Sequence, residues 1–304
     1  MSFSFSIQAP EPPIVGEVFD GIDYWDIQCD KELSFDDPWP EGTQMLFRDG
    51  ISARGIEITY ENDEIQVRIL TLSSPSDYEL AFCFLDSIAS CLDQEFINPE
   101  GEEEPYSFSI DQLRERYNQE WIQETNSYGL NFIKKMLDEE HQYVNLIGYR
   151  RDFYIGKRLY QELLDDGPYE ELQERVIAKM IEVQSVDNES YFPAQILLLK
   201  KDREGDSENS SQEEESNPEK MISFSVVAPG IGYLIAKVKY IALYQENQSP
   251  LFIRLEDFRK LIPISSWSYV DECQFILEPI DEMDWHSFLE TVEPFIVDPI
   301  ADSE

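Results

Sequence analysis

The residues best placed for chemistry are Gly148-Tyr149-Arg150-Arg151-Asp152-Phe153-Tyr154-Ile155-Gly156-Lys157-Arg158. From 150 to 158 they carry four bases and one acid, a local +3 in a chain whose formal charge is −40. Arginine forks bind carboxylate or phosphate through parallel hydrogen bonds and stack on aromatic faces. Two readings follow. Arg150, Arg151, Lys157 and Arg158, with Tyr149 and Tyr154, line a pocket for a small anionic ligand. Alternatively, the bases hold the middle of the chain to its acidic flanks through internal ion pairs.

Other chemistry finds little support. The chain has two histidines, His141 in Glu139-Glu140-His141-Gln142 and His286 in Asp284-Trp285-His286-Ser287. Each reads as a solvated or capping residue of a helix rather than a general base. There is no Gly-x-Ser-x-Gly elbow, no His-Glu-x-x-His and no Cys-x-x-Cys. Phosphate-cradling glycine motifs are also missing, and Ala228-Pro229-Gly230-Ile231-Gly232 reads as a turn between strands. Carboxylate pairs such as Asp36-Asp37, Asp63-Glu64 and Asp165-Asp166 arise by chance among 63 acids. No catalytic residue, metal or cofactor is expected, and the chain reads as more a binding protein than an enzyme.

Charge supplies the strongest functional signal. The 63 acids face 23 bases, and the first 113 residues alone carry −21. A nearly neutral middle separates two acidic ends. Phosphate backbones and anionic membranes would be repelled, so direct nucleic-acid or membrane binding is not expected. A basic protein would be attracted, as it is by inhibitors, immunity proteins and nucleic-acid mimics. A structural subunit anchored by Trp25, Trp39 and Trp267 is a further reading. Solubility alone also accounts for acidity. Cys29, Cys83, Cys91 and Cys273 are too scattered for a disulfide framework, and the opening Met-Ser-Phe-Ser-Phe-Ser-Ile lacks a secretory pattern. With no apolar run of bilayer length, the expectation is a cytoplasmic protein.

The elements that must position these residues read as α+β, with antiparallel sheet segments packed against helices. Strands are expected at 4–8, 24–28, 44–47, 55–60 and 65–72, the last two joined by Glu61-Asn62-Asp63-Glu64 as a hairpin turn. Ser74-Pro75 starts a helix whose stripe is Ala81, Phe84, Leu85, Ile88, Cys91 and Leu92. Leu113, Tyr117 and Trp121 mark one helix, and Leu130, Ile133 and Leu137 a second. Helices at 156–164 and 169–184 follow. Strands at 194–199, 221–227, 233–244, 251–255 and 269–277 come next, with helices at 256–261 and 283–292.

Four segments result: an acidic β-rich lobe at 1–105, a mainly helical middle at 106–202, a mobile acidic loop at 203–219, and an acidic β-rich lobe at 220–304. The loop has the composition of a hairpin tip or of a linker. Ser4-Phe5-Ser6-Ile7-Gln8-Ala9-Pro10 returns as Ser223-Phe224-Ser225-Val226-Val227-Ala228-Pro229, and Gln66–Leu70 has an echo at Gln274–Leu277. These echoes suggest two related β-sheet-plus-helix lobes around the helical middle.

Overall fold

The computed structural model describes residues 2–22, 26–94, 97–99, 108–187, 189–200 and 221–303. It is an α+β fold in two units, Met1–Ser185 and Val186–Glu304. The division lies at 185/186 rather than at the expected 105/106. The helices that follow residue 108 pack on the first lobe's core, and residues 192–200 pair into sheets of the second unit. Trp25 and the acidic loop expected at 203–219 lie outside the described residues.

In the first unit, β1 (Ser2–Gln8) is followed by α1 (Val15–Asp20), β2 (Ile27–Cys29), β3 (Gly42–Arg48), β4 (Ile56–Glu61) and β5 (Glu64–Leu70). Then come α2 (Pro75–Cys91) and β6 (Asn98–Pro99). The six strands form an antiparallel sheet in the order β2-β3-β4-β5-β1-β6. The β4–β5 turn takes Asn62 and Asp63 through positive φ (53° and 61°), the conformation a two-residue hairpin requires and that Asn and Asp tolerate. Ser74 and Asp77 form a reciprocal capping box with Pro75 at the first helical position. Ala81, Phe84, Leu85 and Ile88 of the expected stripe are fully buried against the sheet residues Phe5, Ile7, Ile58 and Val67. Trp39, 1% exposed, packs with Phe19 and Phe84 in this core, so it is no surface anchor.

The helical part of this unit comprises α3 (Ile110–Arg116), α4 (Gln119–Asp138), a hairpin of β7 (Tyr143–Leu146) and β8 (Phe153–Gly156), α5 (Lys157–Asp165) and α6 (Leu172–Gln184). Leu113, Tyr117 and Trp121 do not share one helix. Asn118 interrupts it, its side-chain oxygen accepting hydrogen bonds from the amides of Glu120 and Trp121 and so starting α4. All three still join the first unit's core, where Tyr117 meets Phe5 and Trp121 meets Phe3 of β1 edge-on.

The second unit contains β9 (Phe192–Pro193), β10 (Leu197–Lys200), β11 (Met221–Val227), β12 (Tyr233–Ile235), β13 (Tyr240–Leu243) and β14 (Leu251–Arg254). It continues through α7 (Leu255–Leu261), β15 (Trp267–Tyr269), β16 (Phe275–Leu277) and α8 (Glu282–Val292). Two four-stranded sheets, β10-β11-β13-β14 and β15-β16-β12-β9, share a core around Phe258, Phe275, Ile241 and Trp285. The β11–β13 and β9–β12 pairings are parallel, so these sheets are mixed. The stretch expected as one strand at 233–244 is divided between the two sheets, and 269–277 lies across the β15–β16 hairpin. Strands β10 and β11 pair antiparallel with Lys200 opposite Met221. The sequence echoes do not extend to pairing: β1 pairs with β5, whereas β11 and β16 lie in different sheets.

The C-terminal segment is tied down by charge. Asp302 accepts a fork of hydrogen bonds from the Arg254 guanidinium and a 2.8 Å bond from the Tyr240 hydroxyl. The Arg254 bond holds the Asp302 carboxyl at about 2.

Candidate functional site

The basic stretch forms the turn and second strand of a β-hairpin and the start of a helix. Phe153 and Ile155 alternate inward with no exposure while Tyr154 faces the other way, so period-two patterning makes β8. The residues linking β7 to β8 carry Tyr149, Arg150 and Arg151.

These residues are anchored to the first unit's sheet. The Tyr149 ring stacks on Phe47 at 4.1 Å, and its hydroxyl donates to Asp49 Oδ1 at 3.2 Å. Burial, with the nearby Asp49 charge, pushes the Tyr149 phenol up to about 12. Arg150 Nη2 donates to Asp49 Oδ2 at 2.9 Å, and the guanidinium lies 5.9 Å from the Phe47 ring. The backbone is clamped by Gln184 at the end of α6. Its Oε1 accepts from the amides of Arg150 and Arg151 at 2.9 and 3.1 Å, and its Nε2 donates to the Arg151 carbonyl at 2.8 Å. A methyl group at Gly148 would meet Gln184 Nε2 at 2.2 Å and the Arg151 carbonyl at 2.5 Å, so this close approach requires glycine. Burial, then repulsion from Arg150, lowers the Arg151 pKa.

The remaining sequence candidates lie elsewhere. Tyr154 meets Tyr143 edge-on and donates weakly to Asp152. Arg158 forks onto Glu162 one turn along α5 at 2.9 Å, and Lys157 is exposed at the helix start. The six residues therefore do not converge on one pocket, and the cavities lined by Arg48 and Arg114 (500 Å³) or by Lys239, Arg254 and Arg259 (470 Å³) contain none of them. Arg150 pairs with Asp49 of the acidic N-terminal flank, as the second reading expects, whereas Arg158 pairs with Glu162 of its own helix.

Sequence reasoning missed Asp49, Phe47 and Gln184, which complete the hairpin from distances of 33 to 102 residues along the chain. It also missed Arg54, only 5% exposed, whose Nε and Nη1 donate to the carbonyls of Ile147 at 2.7 Å and Thr71 at 2.6 Å. Burial brings the Arg54 pKa down to about 10. The neighbouring Asp77 is fully buried, which raises its pKa, although its Oδ2 accepts from the amides of Ala53, Arg54 and Ser74.

Gln184→Leu should release the hairpin turn. Two amides lose their acceptor at a site with no exposed Gln184 surface. At about 2 kcal/mol for such orphaned donors, amide exchange at Arg150 and Arg151 should accelerate by roughly 30-fold. Unchanged exchange in a hydrogen-exchange experiment would mean that the Phe47–Tyr149 stack alone holds the turn.

His286 Nδ1 lies 2.7 Å from the Glu282 carbonyl within its own helix, and His141 is exposed at the end of α4. The four cysteines are free thiols. Among the described residues, no group of three or more His, Cys, Asp or Glu is placed to hold a metal ion. No helix among them is long and apolar enough to cross a membrane.

Fold and hairpin together define an acidic α+β protein of two units in whose basic island Arg150 and Arg158 pair with the chain's own carboxylates. The chain belongs to the family described as a domain of unknown function, DUF4299, whose model matches residues 14–205. No curated protein and no solved structure matches it.

Proposed function

We propose that this is a non-enzymatic, cytoplasmic binding protein whose acidic surface engages a basic protein, in the manner of an inhibitor, an immunity protein or a nucleic-acid mimic. The observation that carries this reading is the internal use of the bases. Arg48 pairs with Asp26, Arg68 with Glu57, Arg150 with Asp49, Arg175 with Glu171 and Arg254 with Asp302. Lys179 and Lys260 likewise meet Glu182 and Asp257. With 63 acids and 23 bases, most carboxylates have no counter-charge in the chain. Such a field raises the encounter rate with a cationic partner and repels nucleic acid.

The test is capture of partners by the tagged protein at about 0.05 M and 0.5 M salt, a range over which exposed charge pairs become screened. A basic protein retained at low salt and released at high salt is the expected result. Retention insensitive to salt would overturn the reading. Competition by duplex DNA for the same partner would single out the mimic.

A further inference from the structure

The second unit holds a 480 Å³ cavity between the end of α7, the turn that follows it and one face of α8. Pro263, Ile280 and Phe288 give it apolar walls, and Asp281 and Asp284 bring two carboxylates to it. No base lines it, unlike the 470 Å³ cavity of the same unit, where Lys239, Arg254 and Arg259 meet Glu256 and Asp302. Asp281 is fixed as the cap of α8, its Oδ1 accepting from the amides of Met283 and Asp284 at 2.9 and 2.8 Å. Among the described residues, the Asp284 carboxylate joins no hydrogen bond or ion pair.

A helix start favours carboxylates by itself, which accounts for their presence there. It does not account for the apolar walls, nor for Ile264 and Met283. These are 86% and 80% exposed, the most exposed large apolar side chains among the described residues. Ile264 lies between the cavity residues Pro263 and Ser266, and Met283 between Asp281 and Asp284. Apolar side chains left in water beside a concave site mark a surface that a protein covers.

We infer that this cavity receives an arginine side chain of the basic partner, with Ile264 and Met283 as its apolar rim. The inference rests on the reading of the protein as a binder of a basic protein. Arginine fits for three reasons. Its aliphatic stem packs on Pro263 and Ile280, its planar fork pairs with carboxylates, and its face stacks on an aromatic ring such as Phe288. Lysine, a compact and strongly hydrated charge, satisfies the first need and only part of the others.

The probe is N-acetyl-arginine amide, titrated into the full-length protein and followed by amide and methyl NMR shifts, with N-acetyl-lysine amide in parallel. Shifts should concentrate at Asp284, Ser287, Phe288 and Thr291, and arginine should bind more tightly than lysine. Asp284→Asn should weaken binding about fivefold, the upper range for a solvent-screened ion pair. Glu290→Gln removes an equal charge from an exposed position of α8 outside the cavity and should leave binding unchanged. Shifts spread over the acidic surface, or equal losses in the two variants, would overturn the pocket.

Salt-dependent capture with the same variants separates the two levels of the argument. A basic partner held equally by wild type, Asp284→Asn and Met283→Ser would overturn the pocket and leave the basic-partner reading standing. Absence of any salt-sensitive basic partner would overturn both.

Discussion

Arg54→Met should destabilise the first unit by about 3–5 kcal/mol, because two charge-assisted hydrogen bonds are lost at about 1.5–3 kcal/mol each. The guanidinium donates to the carbonyls of Thr71 and Ile147 and lies in the field of Glu57 first, with Asp77 contributing less. Methionine keeps the apolar stem but removes the donors that reach the Thr71 and Ile147 carbonyls. Arg54→Lys should recover only part of the loss, because one ammonium does not reproduce a fork that spans two carbonyls.

The pH dependence carries a further sign. Burial raises the Asp77 pKa, so its contribution to stability is greatest below the ordinary aspartate range and declines as pH rises through its folded value. Urea denaturation across pH, with hydrogen exchange on β4, β5 and α2, measures both. A loss below about 1 kcal/mol would mean that water satisfies the two carbonyls as well as the guanidinium does.

Phe258→Ala should have a comparable effect in the second unit, about 3–5 kcal/mol. Phe258 has no exposed surface and packs edge-on against Phe288 of α8 at 5.9 Å. Its cluster contains Ile241 and Ile253 from one small sheet and Ile235, Phe275 and Leu277 from the other. Neither four-stranded sheet has a wide core of its own, so an aromatic ring at their shared centre cannot be replaced by collapse of one layer. Hydrogen exchange should accelerate on both β13 and β16. Acceleration confined to β13 and β14 would show that α7 serves only the sheet it follows.

Five strands of the first sheet and α2 were legible because their signals are local, whereas the two-residue β6 was not. Asn62-Asp63 sets a two-residue turn, Ser74 and Asp77 cap a helix three residues apart, and Ala81, Phe84, Leu85 and Ile88 repeat at the helical period. Such features depend on neighbours within one turn of chain, and composition alone set the acidity that dominates any encounter with a partner. The divisions of 233–244 between two sheets and of Leu113–Trp121 between two helices were not legible. Both strand pieces are apolar throughout, and Leu113, Tyr117 and Trp121 keep a four-residue spacing across the break at Asn118. Period therefore cannot register either change of partner.

The basic island shows the same limit most sharply. Its charge and aromatic content were evident in the sequence, and so were both possible uses of them. Which use holds depends on Asp49, 101 residues before Arg150, and on Gln184, 34 residues after it. Only the register of the sheet and the packing of α6 bring those groups within hydrogen-bond distance. Arg54 lies deeper still in that category: a lone arginine reads as a surface residue until the fold surrounds it with Thr71, Asp77 and Ile147. Local period and charge come from the chain itself; the pairing of distant polar groups exists only once tertiary packing has excluded water from between them.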